Sequence, residues 1–227
     1  MASPHDTTTG LAWGGEGNLR SLSYHLIGGL LRECPTAELL DGMRTEGVLE
    51  RLAAKATGAP ALSAALGRLG QSLRETEHTD AIRTDYGLLF LGLGRKALAP
   101  PWESLYRAED REVWGEPARE VLRCYAEAGV GYDGMKQIPP DHVGLELTFL
   151  ATLADREPAG SEAQRHFVDR HLAQWIPAFV DKVKGGAKTG FMRALAEALH
   201  ALIALDQRFL AGGQQREAGV ADPAGRG

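Results

Sequence analysis

The sequence SEAQRHFVDRHLAQWIPAFVDKV, residues 161–183, contains the pattern that decides the fold class. Its large apolar side chains follow one another at intervals of four, three, four and four residues, at Val168, Leu172, Trp175, Phe179 and Val183. This spacing places them on one face of a helix, and Ser161 is the residue expected to cap its beginning. Pro177 lies inside the pattern and is expected to kink the helix.

The rest of the chain favours helices as well, because Ala, Leu, Glu and Arg dominate and strand-forming runs are nearly absent. We expect the first helix to begin at a cap on Asn18, and later helices to begin at caps on Thr36, Thr45, Thr79 and Asp141. The prediction is an all-α protein with one compact domain of about nine helices over residues 18–210. Residues 1–17 and 211–227 show no periodicity and are predicted to be disordered tails.

Composition limits the classes of function. The net charge of the 227 residues is −5, which argues against a nucleic-acid binder because such a protein needs a basic face. The two cysteines, Cys34 and Cys124, form no ligand motif, which favours a protein of the reducing cytoplasm. No apolar stretch approaches the roughly 20 residues that span a bilayer, and residues 1–17 lack an export signal. We therefore expect a cytoplasmic protein without stable membrane insertion.

The negative charge is concentrated in one segment. Residues 101–150 carry ten acidic and five basic residues, so this segment alone accounts for the net charge of −5. Such a segment is either a solvated acidic face or a field that attracts a cationic partner.

Two proline-containing motifs lie in or near this acidic segment. The first is Pro100-Pro101-Trp102-Glu103-Ser104-Leu105-Tyr106, and the second is Pro139-Pro140-Asp141-His142, with Glu146 one helical turn later. Prolines stop helices, so both motifs are expected at helix ends, where they would form a binding surface. Asp141 is the predicted cap of the helix that follows it.

Few other side chains suggest chemistry. His142 and Glu146 are four residues apart on a helix and could share a metal ion, but a third ligand is not evident. His166 and His171 are five apart, which places them on different faces of an α-helix. Cys124 lies beside Arg123, and a structural thiol is the expected role.

Three elements occur in an order that resembles the TorD/DmsD family of molybdoenzyme chaperones. They are Tyr86-x-x-Leu89-Phe90, then Pro101-Trp102-Glu103-Ser104-Leu105-Tyr106, then Pro140-Asp141-His142 with Glu146-Leu147. The resemblance covers roughly residues 18–210 and is strongest from Asp85 to Leu153. It implies an all-helical cytoplasmic protein that has no catalytic activity and holds no cofactor of its own.

The resemblance also implies a partner and a site. The partner is the twin-arginine signal peptide, with the apoprotein, of a molybdopterin oxidoreductase subunit, which is held back from the Tat translocon until its cofactor is inserted. The chaperone is expected to be a monomer or a homodimer. The residues that match the leader-binding motifs are Tyr86, Leu89, Phe90, Pro101, Trp102, Glu103, Ser104, Tyr106, Pro140, Asp141, His142 and Glu146.

Two alternatives remain at this point. One is a small helical metal-dependent hydrolase that uses His142 and Glu146. The other is a helical transcription regulator, for which the nearest basic helix, residues 187–193, offers only Lys188 and Arg193.

Overall fold

The computed structural model describes residues 19–56, 58–75, 78–93, 96–108, 112–132 and 138–220, with residues 212–220 described by their backbone alone. The helices are α1 (Leu19–Arg32), α2 (Ala37–Glu46), α3 (Val48–Lys55), α4 (Pro60–Arg74), α5 (Thr79–Tyr86), α6 (Ser104–Arg107), α7 (Glu116–Glu127), α8 (Val143–Arg156), α9 (Glu162–Phe167), α10 (Ala173–Gly186) and α11 (Gly190–Val220). The described residues include two π-helical turns, Gly87–Leu91 after α5 and Val168–Leu172 between α9 and α10. The all-α prediction is confirmed.

The stretch that decided the fold class forms one continuous rod of α9, the second π turn and α10. Ser161 caps it, since its Oγ accepts a hydrogen bond from the Gln164 amide at 3.3 Å. Pro177 lies inside α10, as expected. The five stripe residues are all fully buried, because this face of the rod packs into the core, notably against α11.

Helices α1 and α8 approach each other closely, and α8 begins directly after the second proline motif. The approach depends on Gly144, where a Cβ would lie 2.5 Å from the Cβ of Arg32 and 2.8 Å from the carbonyl oxygen of Gly28. A side chain at this position would push the two helices apart, so a glycine is required here.

Helix α11 passes along the core and packs against both α4 and α10. It continues to Val220, beyond the point at which the disordered tail was predicted to begin. Residues 214–218 read QQREA, and all of them favour helix, so the helix does not end where its apolar stripe ends. The rest of the predicted tails, residues 1–18 and 221–227, lies outside the described residues.

Some helix beginnings differ from the prediction. Thr36 does cap α2, accepting from the Leu39 amide at 3.2 Å. However, α3 begins at Val48 behind Gly47, which adopts a left-handed φ of 58°, and not at Thr45. Thr79 is the first residue of α5, preceded by His78, and is not its cap. Asn18, the predicted cap of α1, lies outside the described residues.

A buried ion pair joins the first and last helices. Arg20 on α1 donates two hydrogen bonds to Asp206 on α11, at 2.5 and 2.9 Å, and a third to Gln164 at 2.7 Å. Tyr24 also donates its hydroxyl hydrogen to Asp206. Both charged side chains are almost completely buried. The guanidinium and the carboxylate therefore satisfy each other in a place that water does not reach.

None of the described helices has the length and apolar character needed to span a bilayer.

Candidate functional site

The two proline motifs meet in space. Trp102 and His142 form an isolated antiparallel β-bridge. Its hydrogen bonds run from the Glu103 amide to the Asp141 carbonyl oxygen and from the Val143 amide to the Pro101 carbonyl oxygen, both at 3.0 Å. The short helix α6 begins directly after the bridge. Two segments that are forty residues apart in sequence thus form one rigid junction.

The second motif caps two helices, though not in the way that was predicted. The carboxylate of Asp141 accepts a hydrogen bond from the Ser104 amide at 2.8 Å, so it caps α6 across the bridge. Helix α8 is capped by His142 instead, whose Nδ1 accepts from the Gly144 amide at 3.1 Å. The prediction that Asp141 caps its own helix is wrong, because the bridge turns its side chain toward the other motif.

His142 is held in its neutral form. The ring is only 4% exposed, and its Nδ1 must remain unprotonated to accept the Gly144 hydrogen bond. Burial, assisted by the nearby positive charge of Arg32, lowers the pKa of His142 to about 4. The edge of the ring contacts the Trp102 indole, with the ring centroids 5.7 Å apart.

Beneath the bridge lies a group of buried carboxyl groups. Glu103 is an ion-pair partner of Arg107 and contacts Nδ1 of His171 at 2.9 Å. Glu146 accepts a hydrogen bond from the Trp175 indole at 3.1 Å. Burial, together with the charges of Glu103 and Asp141, raises the pKa of Glu146 well above its ordinary value, which favours the protonated form of this carboxyl. Burial also raises the pKa of Asp141, and the hydrogen bonds from Ser104 oppose this effect.

The apolar part of the predicted site is not a surface. Tyr86, Leu89 and Phe90 are fully buried, and Phe90 packs edge-on against Tyr86 at 4.8 Å between ring centroids and stacks on Phe179 at 5.9 Å. These three residues are therefore part of the core and present no exposed face. A face with the i, i+3, i+4 pattern has the same sequence signature whether it contacts a ligand or the core. Their role as leader contacts stays a prediction.

Other motif residues lie at the edge of the site. Pro101, Ser104 and Pro140 are buried, whereas Trp102 and Tyr106 are half-buried. The exposed apolar residues nearest in sequence are Leu91 and Leu93, with exposed fractions of 62% and 56%. These residues flank Gly92, which ends the π turn in the left-handed conformation with a φ of 67°.

The acidic segment is less exposed than its composition suggests. Three of its ten acids, Glu103, Asp141 and Glu146, are completely buried. Glu116 is exposed but forms ion pairs with Arg119 and Arg123. A field that attracts a cationic partner would therefore come from fewer carboxylates than the sequence indicates.

The metal-site hypothesis finds no geometric support. Nδ1 of His142 is used by the cap of α8, while Glu146 faces Trp175. In the described ranges, no group of three or more His, Cys, Asp or Glu side chains is placed to hold a metal ion.

A cluster that sequence reasoning missed lies next to Glu103. The π turn after α9 has about one more residue per turn than an α-helix, so His166 and His171 come within 6.5 Å between ring centroids. The prediction that they occupy different faces is wrong for this reason. His171 is 2% exposed and lies between Glu103 and Cys124, whose sulfur is 3.8 Å from Nε2. Nothing in the α-helical spacing indicates this arrangement.

Comparison with known proteins identifies the class of protein. Residues 53–181 match the model of the family described as "Nitrate reductase delta subunit". The chain belongs to this family, which includes the TorD chaperones, and the resemblance seen in the motifs is confirmed.

The individual relatives agree with this assignment. The chaperone protein TorD of Vibrio parahaemolyticus is 28% identical over 162 residues, covering 67% of this chain and 75% of that protein. TorD of Vibrio vulnificus is 26% identical over 206 residues, or 85% of this chain and 95% of the relative. The fold is also similar to a crystal structure from Archaeoglobus fulgidus that is assigned to redox enzyme maturation, with a TM-score of 0.50 and 20% identity. That structural match covers 86% of this chain and 96% of the other.

Proposed function

We propose that this protein is a chaperone that binds the twin-arginine leader and the apo form of a molybdopterin oxidoreductase subunit. It delays export through the Tat pathway until the cofactor is inserted, and it acts in the cytoplasm as a monomer or homodimer without catalysing a reaction. The chaperone class is supported by the family, by the TorD relatives and by the fold. Leader binding is our own assignment to the junction of the two proline motifs.

One observation carries the assignment of leader binding. The indole N–H of Trp102 and the hydroxyl group of Tyr106 are buried polar groups that lack a hydrogen-bond partner within the described ranges. Burial raises the pKa of Tyr106, so its hydroxyl stays protonated and can donate. A buried donor without an acceptor costs about 1–3 kcal/mol. A rotation of these two half-buried side chains would bring both groups to the surface, where carbonyl oxygens of an extended peptide would satisfy them and recover that free energy.

Tyr106 also shows that this edge accepts a cation. The ammonium group of Lys182 lies over the Tyr106 ring, 4.3 Å from its centroid. An arginine guanidinium prefers the same position on an aromatic face and is less strongly hydrated than an ammonium group. A leader arginine could therefore displace Lys182, while the apolar part of the leader would extend toward Leu91 and Leu93.

The experiment is calorimetric titration of the protein with a twin-arginine leader peptide, with a Lys-Lys version of the same peptide as the control. We expect saturable binding that weakens with the Lys-Lys peptide. Trp102→Phe keeps an apolar ring but removes the N–H group, so we expect a loss of about two- to tenfold, equivalent to one hydrogen bond. The matched control is Trp114→Phe, at an exposed tryptophan outside the two motifs.

The outcomes separate the two parts of the proposal. Equal losses in Trp102→Phe and Trp114→Phe would place the leader somewhere other than at this junction. A protein that binds no twin-arginine leader at all would contradict the function itself.

A further inference from the structure

Cys124, His171 and Glu103 are arranged in a line. The sulfur of Cys124 is 3.8 Å from Nε2 of His171, and Nδ1 of the same ring is 2.9 Å from a carboxylate oxygen of Glu103. This is the order of a nucleophile, an imidazole and a carboxylate that orients the imidazole. Leader binding, as proposed above, makes no use of Cys124 or His171.

The fold fixes the imidazole firmly. His171 lies in the π turn and is 2% exposed, with the Phe167 ring against it at 4.9 Å between centroids. Glu103 is completely buried and is itself held by Arg107, which also donates to the Arg170 carbonyl oxygen at 2.9 Å. The ring therefore has one orientation, in which Nδ1 faces the carboxylate and Nε2 faces the sulfur.

The ring carries a proton on both nitrogens at neutral pH. Burial alone would lower the pKa of His171, but its hydrogen bonds to Cys124 and Glu103 and the negative charge of Glu103 outweigh this and raise the pKa to about 9. An imidazolium at this position places a positive charge and a donor N–H next to the sulfur.

The sulfur is within reach of small molecules. Cys124 is half-buried and lines two adjoining pockets, with volumes of about 350 and 180 Å³. His171 lines only the smaller pocket. The charged and titratable groups that face the cysteine and the imidazole there, besides Glu103, come from α6, α7 and the α9 rod, namely Arg107, Glu120, Arg123, Glu127, His166 and Arg170.

We propose that Cys124 is a reactive thiol that small hydroperoxides oxidise to a sulfenic acid, with His171 as the proton donor and Glu103 as the positioning residue. The Cys124 thiolate attacks the outer oxygen of the hydroperoxide; an S–O bond forms and the O–O bond breaks. Sulfur loses two electrons, and the departing oxygen leaves as an alkoxide or hydroxide. Nε2 of His171 gives its proton to this leaving oxygen, and the resulting neutral ring regains a proton from water.

The first test compares the two cysteines within one chain. The native protein is treated with iodoacetamide, and alkylation of Cys124 and Cys34 is followed by peptide mass spectrometry as a function of pH. The positive charge and the N–H group of His171 next to the sulfur favour the thiolate, which is the reactive form, so we expect alkylation of Cys124 to be about tenfold faster than that of Cys34. The rate at Cys124 should also rise less steeply with pH than the rate at Cys34, because the positive charge of His171 is present below its pKa of about 9.

The second test uses hydrogen peroxide and traps the sulfenic acid with dimedone. We expect the adduct on Cys124 and not on Cys34. His171→Gln keeps a polar side chain without the positive charge. In this variant Cys124 and Cys34 should react at about the same rate and with the same pH dependence. Glu103→Gln should shift the pH profile in the same direction, which a purely structural role of Glu103 would not do.

Equal reactivity of the two cysteines in the native protein, or a rate at Cys124 that rises with pH as that at Cys34 does, would overturn the proposal. This comparison needs no variant, so it holds even if His171→Gln does not fold. Retention of the full rate advantage in a folded His171→Gln protein would equally overturn it.

Discussion

Replacement of His142 by Asn should make the protein more resistant to acid. An Asn side chain places an acceptor oxygen where Nδ1 of the histidine now accepts the Gly144 hydrogen bond, and Asn is among the best capping residues. The variant therefore keeps the cap of α8 while removing the only group at this position that can take up a proton. Near neutral pH its free energy of unfolding should be close to that of the original protein.

The magnitude follows from the pKa of the buried ring. A histidine with an ordinary pKa of 6.5 has a pKa of about 4 here, because of burial and the charge of Arg32. Each pH unit corresponds to about 1.4 kcal/mol, so the neutral form is favoured in the folded state by roughly 3 kcal/mol. The ring is nearly inaccessible to water, so little of this is lost to solvent screening.

The pH dependence of stability is that of a group whose pKa is lower in the folded protein than in the unfolded chain. Above about pH 6.5 the histidine is neutral in both states, and its full contribution to stability is present. As the pH falls from 6.5 toward 4, the unfolded chain binds a proton that the folded protein excludes. The free energy of unfolding should therefore fall by roughly 3 kcal/mol through this residue alone.

The assay is urea unfolding followed by tryptophan fluorescence, at half-unit steps between about pH 4.5 and 7.5. The informative quantity is the difference in free energy of unfolding between the original protein and His142→Asn at each pH. This difference should grow as the pH falls. The control variant is His25→Asn, at an exposed position on α1, which shows the effect of removing a histidine from the surface. A difference for His142→Asn that does not depend on pH would refute a buried neutral imidazole.

Three further substitutions test other parts of the structure. Because the pKa of Glu146 is raised in the folded protein, its contribution to stability is present below about pH 4.5 and is lost as the pH rises through the pKa of the folded state. Glu146→Gln places a neutral analogue at this position, so in urea unfolding at mildly alkaline pH the variant should be more stable than the original protein. Asp206→Asn leaves Arg20 buried without its counter-ion and should cost about 3–5 kcal/mol in urea unfolding, against less than about 1 kcal/mol for Glu197→Gln in an exposed pair. Gly144→Ala forces α1 and α8 apart and should lower the free energy of unfolding by about 1–3 kcal/mol, measured by thermal or urea denaturation; an unchanged midpoint would contradict the close approach.

Local patterns in the sequence predicted most of the fold. The helical stripe from Val168 to Val183 and the caps at Thr36 and Ser161 each depend on residues within a few positions of one another. Such features are decided by spacing and by the preferences of single residues, and so a single sequence reveals them.

The features that sequence reasoning missed depend on distant residues or on an irregular turn. The choice between Asp141 and His142 as the cap of α8 is made by the bridge to Trp102, about forty positions away. The burial of Phe90 depends on Phe179, and the meeting of His171 with Cys124 depends on a π turn that no spacing rule indicates. The two proline motifs were recognised as candidates, but their contact with each other was not predictable from either one.

The pairing of Arg20 with Asp206 has a consequence for how the chain matures on the ribosome. Arg20 is synthesised early, yet its partner follows 186 residues later, so the first helix cannot be buried in its final place until almost the whole described domain has been made. Until then the guanidinium must remain hydrated, which keeps the part of α1 around Arg20 open. Completion of this chaperone is therefore a late event, and Asp206→Asn should leave newly made chains susceptible to proteases even where the purified protein still folds.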